Sequence, residues 1–189
     1  MTSILLETGR LRLRRFTTED VHLLVALDSD PEVMRFITYG EPTPRATYDE
    51  VILPRWFALS ESSPLLGYWA AEDREEGNFL GWFHLRPDRI DPDELELGYR
   101  LARAAWGRGL ATEGAGAVVR HGFEQVGAAK IAARTLAGNV ASQRVMCKCG
   151  LAFEKGFVYP DDVIPGRPER DRAAVKYSIK RADWLARRA

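Results

Sequence analysis

Arginine and leucine alternate in "RLRLRRF", residues 10–16, with the period of a strand that has one buried face, the arginines forming its wet side. The rhythm then changes. "TTEDVHLLVAL" places threonines and acids ahead of an apolar run, as a helix N-terminus does, and "PEVMRF" reads as a short helical turn after a proline. "TYDEVILPRWFALSES" predicts a second helix with a kink or break at Pro54. Three strand candidates follow, "LLGYWAAED", "NFLGWFHLRPD" and "ELELGYRLA", separated by the turn-rich "REEGN" and "RIDPD"; such short connections favour an antiparallel meander. From Thr112 the positions Ala115, Val118, Val119, Gly122, Phe123 and Val126 fall at helical spacing, and Gly127 marks the end. "KIAARTL" is a further strand, "AGNVASQRVMCKCG" a loop feeding a helix closed by Gly150, and "AFEKGFVY" and "AAVKYSIKR" are final strands around a polar connection at 160–171.

Strands outnumber helices and come in groups rather than in strict alternation with them, which indicates an α+β fold around a mostly antiparallel mixed sheet. At 189 residues with 46% hydrophobic content, the chain suits one domain spanning 1–189. Lysine plus arginine equals aspartate plus glutamate at 27 each, so the overall charge supports neither a nucleic-acid nor a membrane-surface partner. "MTSILLETGRLRLRRF" lacks the apolar core of ~7 to 15 residues that a signal peptide needs, and no later run approaches the ~18 that span a bilayer, so a cytoplasmic protein is expected. Cys147 and Cys149 have no third cysteine or histidine pair to complete a metal site, and no metal is expected. Cys149 continues the apolar stripe of Val145 and Met146 and reads as packing.

The glycine pair in "WGRGLATEG", Trp106 to Gly114, lies between a strand ending near Leu101 and a helix opening near Thr112. A helix N-terminus presents unpaired N–H groups and the positive end of its dipole, and glycine lets a phosphate approach the backbone closely. The loop therefore reads as an anion cradle. Spacing excludes two familiar versions: a dinucleotide fingerprint needs a third glycine where Thr112 stands, and a P-loop needs a Gly-Lys-Ser/Thr that is absent.

Taken in order, "ELELGYRL", "WGRGLATEG", an amphipathic helix, a strand and "GNVASQRVMCKCGLAFE" resemble a GCN5-related N-acetyltransferase (GNAT), closest to the RimJ/RimL-like branch of ribosomal-protein N-terminal acetyltransferases. The resemblance covers nearly the whole chain, from "LETGRLRLRRFTTEDV" to "YSIKRADW". It implies a GNAT fold, with six to seven strands, about four flanking helices and one splayed strand pair. It also implies acetyl-CoA as co-substrate and a primary amine as acceptor, in a monomer or homodimer. A protein N-terminal amine is favoured, with a small-molecule amine (antibiotic or metabolite) or a catalytically silent acyl-CoA sensor as alternatives.

The family's loop pattern Q/R-x-x-G-x-G/A falls on Trp106, Gly109 and Ala111. The resemblance implies that backbone amides of Gly107, Arg108, Gly109, Leu110, Ala111 and Thr112 hold the pyrophosphate of coenzyme A, with Arg103 and Arg108 as charge partners; a solvated loop is the plainer reading of both arginines. It places the main chain of Leu101 beside the pantetheine arm as a pseudo-strand. Gly98, inside a strand, indicates a bulge or a close approach of another backbone, and an amide at Gly98 or Tyr99 would face the thioester oxygen; a packing glycine with no such role is the alternative. Asn139 and Ser142 match the branch's N-x-x-S motif, with Asn139 on a pantetheine amide and Ser142 beside the sulfur, where its hydroxyl hydrogen-bonds or protonates the departing thiolate. Their structural reading is that Asn139 ends a strand and Ser142 caps the following helix.

Acetyl transfer to an amine also needs a group to accept the amine proton. By the period of two, Glu94 and Glu96 share one face of their strand, and Glu96, nearer Gly98, is the preferred base, as carboxylates on this strand are in a number of relatives. Solvation of an exposed face is the competing account of both glutamates. His84 is the second candidate because an imidazole pKa near ~6.5 suits neutral pH. Tyr39, Trp56, Trp82 and Tyr177 are candidates for lining an acceptor pocket, or for core.

Overall fold

The computed structural model describes residues 4–164 and 166–187. Its strands are β1 (Ile4–Glu7), β2 (Leu11–Arg15), β3 (Gly67–Asp73), β4 (Phe79–Pro87), β5 (Leu95–Leu101), β6 (Lys130–Leu136), β7 (Ala152–Val158) and β8 (Ala173–Lys180). They form one mixed sheet in the order β1-β2-β3-β4-β5-β6-β8-β7, antiparallel at every step except β5 with β6. The fold class is as the sequence indicates, with eight strands among the described residues rather than six to seven. The additional strand is β1, whose "ILLE" is apolar without alternation and so carries no period to read.

The helices are α1 (Val21–Asp28), α2 (Pro31–Met34), α3 (Arg45–Thr47), α4 (Leu53–Ser62), α5 (Leu110–Glu124), α6 (Val140–Lys148) and α7 (Arg181–Ala186). Ahead of α1, the backbone N–H of Thr17 donates to Asp20 at 2.8 Å, so the threonine and acid that announce the helix do take part in starting it. The break expected at Pro54 appears as a π-helical turn, Tyr48–Ile52, directly before α4. Proline offers no N–H and its ring crowds the carbonyl four residues earlier, and a widened turn relieves both.

Both faces of the central strands are covered. On one, Leu11, Leu13, Trp69, Phe83, Leu85 and Leu97 meet Ala115, Val118, Val119 and Phe123 of α5. On the other, Ala70 and Trp82 meet Leu24 and Leu27 of α1 together with Val33, Tyr48 and Leu53. This is why "FLGWFHL" in β4 is hydrophobic without alternation. Helix α5 lies close on the sheet because Gly114 faces Phe83, and a Cβ there would stand 2.2 Å from the ring. Burying side chains such as Phe83 and Phe123, both 0% exposed, contributes about 1.5–3 kcal/mol each. The wet face expected for β2 holds only in part: Arg14 is 12% exposed and bridges Asp20 at 2.7 Å and Glu72 at 2.5 Å.

Candidate active site

Strands β5 and β6 pair at Leu95↔Ile131 and Glu96↔Ala132 and no further. Beyond that point β5 stays with β4 as far as Leu101, and β6 stays with β8 as far as Leu136. The sheet therefore opens as a wedge between Gly98–Leu101 and Ala133–Leu136. Because the two strands are parallel, both open ends lead into helix N-termini, that of α5 and that of α6. The splayed pair implied by the resemblance is present.

At the mouth, a 3-10 turn at Arg103–Ala105 brings the chain to Gly107 (φ 70°) and Gly109 (φ 78°), the latter being the N-cap of α5. Both are left-handed, a conformation that costs an L-residue roughly 1–2 kcal/mol. Among the described residues, a Cβ on Gly107 would meet nothing within 4 Å, and one on Gly109 would meet only the Arg10 guanidinium, at 3.6 Å. The backbone is thus bare toward solvent exactly where the amides of Leu110, Ala111 and Thr112 lack carbonyl partners within the helix. Such a cradle, which a side chain would fill, fits a pyrophosphate.

Neighbouring contacts hold the loop in shape. The Trp106 indole N–H donates to the Leu101 carbonyl at 2.8 Å, tying the loop to the end of β5 and occupying an oxygen that the sequence reading left open to pantetheine. Arg103 pairs with Asp30 at 3.0 Å, and the Arg108 carbonyl accepts from Arg10 at 2.9 Å while the Arg108 side chain is exposed. Glu113 accepts from the Thr8 hydroxyl at 2.6 Å and pairs with Arg10 at 2.6 Å, so the β1–β2 turn braces the first turn of α5. Partial burial pushes the Glu113 carboxyl up, but Thr8 and Arg10 outweigh it and hold it below the usual range. Sequence reasoning missed this brace, which joins residues 103 positions apart.

Across the wedge, the Asn139 side-chain oxygen accepts from the Ser142 backbone N–H at 3.1 Å. Asn139 is thus the N-cap of α6, and Ser142, three residues on, is not a cap. Among the described residues the Asn139 side-chain NH₂ has no acceptor. The Ser142 hydroxyl lies 3.1 Å from the Tyr99 hydroxyl, a contact between the start of α6 and the splayed half of β5.

The face of the sheet toward α1 carries three successive cross-strand pairs: Trp82↔Arg100, His84↔Gly98 and Arg86↔Glu96. Their register runs without a shift, so Gly98 is not the bulge that its place in a strand suggests. Its reason is steric: a Cβ there would stand 2.4 Å from Nε2 of His84, whose ring lies on the glycine. His84 is 7% exposed, and neither ring nitrogen has a partner among the described residues. Burial, then the charges of Arg86, Arg89 and Arg100, hold its pKa well below the ordinary imidazole value, so the ring is neutral. Tyr68 packs edge-on to the ring at 4.7 Å, and Trp56 stacks on Tyr68 at 4.0 Å.

Glu96 is ion-paired with Arg86. Burial pushes its carboxyl above the usual range, and Arg86 and Arg89 draw it part of the way back. A carboxylate with a raised pKa can hold a proton nearer to neutrality than a solvated one. Glu94 lies elsewhere, 4% exposed and bound to Lys130 at 2.5 Å and Lys176 at 2.6 Å, which corrects the reading that it solvates an open face. Trp56 and Trp82 belong to the aromatic cluster beside His84. Tyr39 and Tyr177 do not: the first bonds to the Asp171 carbonyl and the second to Gln143. Cys149 is packed, as read, with its thiol on the Thr112 carbonyl and raised by burial to about 11.

A sheet split between parallel strands, with a bare glycine loop at one helix N-terminus and a capping asparagine at the other, is the frame of an acetyltransferase. Residues 10–152 match the family model described as an acetyltransferase (GNAT) domain, and the chain belongs to that family. It is 34% identical over 187 residues to the FsC-acetyl coenzyme A-N(2)-transacetylase of Aspergillus fumigatus, a match covering 95% of this chain and 77% of the relative. Two crystal structures share the fold. A GNAT-family acetyltransferase from Bacillus anthracis aligns with a TM-score of 0.75 at 21% identity, covering 96% of this chain and 99% of that one. Spermidine N-acetyltransferase from Vibrio cholerae, in complex with CoA and spermine, aligns with a TM-score of 0.74 at 18% identity, covering 94% and 99%.

Proposed function

We propose that this acetyltransferase moves the acetyl group of acetyl-CoA to a primary amine by direct attack in a ternary complex, with a protein N-terminal amine as the preferred acceptor. The observation that carries the reading is the wedge between β5 and β6, which opens onto the bare backbone at Gly107 and Gly109. In this reading the amides from Gly107 to Thr112 hold the pyrophosphate, Arg103 and Arg108 add charge at the mouth, and the edge of β5 that has left β6, up to Leu101 whose carbonyl is taken by Trp106, and the amide of Asn139 hold the pantetheine arm. The co-substrate supplies an activated thioester carbonyl.

The protein's own groups then act on the acceptor. Glu96 takes the amine proton, directly or through a water, which an ammonium must lose before its nitrogen can attack. The Arg86 pair favours the ionised carboxylate, while burial, the larger influence, favours the protonated one. Ser142 donates a hydrogen bond to the departing sulfur; a thiol with a pKa near ~8.5 needs less help in leaving than an alkoxide would.

A second reading, a small-molecule amine as acceptor, is favoured by the A. fumigatus relative, whose name specifies an N(2)-transacetylase. A panel of short peptides with free or blocked N-termini, run beside polyamines and amino-acid-derived amines, separates the two through acetyl-CoA-dependent thiol release. Turnover of free but not blocked peptides is expected. Turnover confined to small amines would replace the first reading with the second.

A further inference from the structure

Tyr99 follows Gly98 in the part of β5 that has left β6, and its ring packs against Phe83 with centroids 6.0 Å apart. Its hydroxyl does not stay in that apolar layer. It crosses the wedge to α6, where it lies 3.1 Å from the Ser142 carbonyl oxygen and 3.1 Å from the Ser142 hydroxyl. Burial holds the phenol pKa above its ordinary value, so Tyr99 stays protonated and has one hydrogen to place.

That hydrogen can point in two directions, with opposite consequences for Ser142. When it is on the carbonyl oxygen, which can only accept, the lone pairs of the phenol face the serine, and the serine hydrogen points back at Tyr99. When it is on the serine oxygen, the serine hydrogen is released and can point into the wedge. The two arrangements differ by the rotation of two hydroxyls and need no backbone movement.

We propose that Tyr99 is a positioning residue for Ser142: it turns its hydroxyl from the Ser142 carbonyl to the Ser142 oxygen as negative charge grows on the departing sulfur, freeing the serine hydrogen to meet that charge. The inference rests on the proposed place of Ser142 beside the sulfur. The carbon–sulfur bond breaks with its electron pair on sulfur, both hydroxyls keep their protons, and the thiolate is protonated later by solvent. A donor that is itself hydrogen-bonded is the stronger donor, because hydrogen bonds in a chain polarise one another. Packing alone would explain the Tyr99 ring, but not a hydroxyl aimed at two oxygens of one residue on another element.

Tyr99→Phe removes the hydroxyl and keeps the ring. The first measurement is ultraviolet titration of the thiol of bound coenzyme A. Wild type should hold the thiolate to lower pH than either Tyr99→Phe or Ser142→Ala. The second is turnover: Tyr99→Phe should lower kcat with acetyl-CoA about threefold to tenfold, the worth of one hydrogen bond of about 0.5–1.5 kcal/mol, with KM within about twofold. The loss should disappear with an acetyl thioester of a more acidic thiol, and the double variant should be no slower than Ser142→Ala. If Ser142→Ala moves the bound thiol and the leaving-group dependence while Tyr99→Phe moves neither, the role of Tyr99 is refuted and that of Ser142 stands. If neither variant moves them, the placement of Ser142 fails as well. Additive losses in the double variant would also overturn the inference.

Discussion

Replacing Gly109 with alanine separates the loop's backbone strain from its proposed work. At φ 78° an L-residue is strained by roughly 1–2 kcal/mol, and the new methyl would touch only the Arg10 guanidinium, at 3.6 Å, which adds little. For a chain of this size each kcal/mol lowers Tm by about 2–4 °C, so a fall of about 2–8 °C is expected. Gly127 is a matched control: it has φ 75°, lies beyond the C-terminal end of α5 and has nothing within 4 Å of an added Cβ. Gly127→Ala should lose similar stability. Only Gly109→Ala should lose coenzyme A, because its methyl would stand in the proposed pyrophosphate cradle. Weakening one charged hydrogen bond, worth about 1.5–3 kcal/mol, predicts about a tenfold to hundredfold rise in Kd by calorimetry. The thermal shift on adding coenzyme A should shrink in the same variant. Equal coenzyme affinity in the two alanine variants would refute the cradle.

Glu96→Gln should lower kcat about 10²-fold with coenzyme affinity unchanged. Burial raises the Glu96 pKa and the proposed role requires the ionised form, so wild-type activity should rise with pH through that raised value; the variant should lose this acidic limb, and an unmoved limb would place the base elsewhere, with His84→Gln the next test. Asn139→Ala should cost about 0.5–2 kcal/mol in a denaturant titration through the lost α6 cap, and should weaken acetyl-CoA and a truncated pantetheine thioester alike; an effect confined to the full coenzyme would contradict the pantetheine contact. Gly98→Ala should destabilise by about 1–3 kcal/mol by overpacking against His84, and His84→Ala in the same chain should recover much of the loss; full stability of the single variant would show that the ring is free to move aside.

Period and glycine carried most of what could be read from the chain. β6 falls on "KIAARTL" at Lys130–Leu136 as read, and α5 starts two residues before Thr112 because the left-handed N-cap is Gly109 itself. Short elements without a period, β1 and α7 among them, were invisible to that reading. For the site, strand parity put Glu94 and Glu96 on one face of their strand, but parity cannot say what stands opposite each of them. A slip of β5 against β4 by two residues keeps every side chain on its face while changing every partner, and it would set Glu96 opposite His84 instead of Arg86. The choice between a carboxylate–guanidinium pair and a carboxylate–imidazole dyad is therefore made by register, and Gly98 pins that register. Only the residue without a Cβ can lie beneath the His84 ring, so the slipped pairing would drive the Glu96 side chain into the imidazole. One glycine that looked like a bulge thereby fixes which partner the proposed base has.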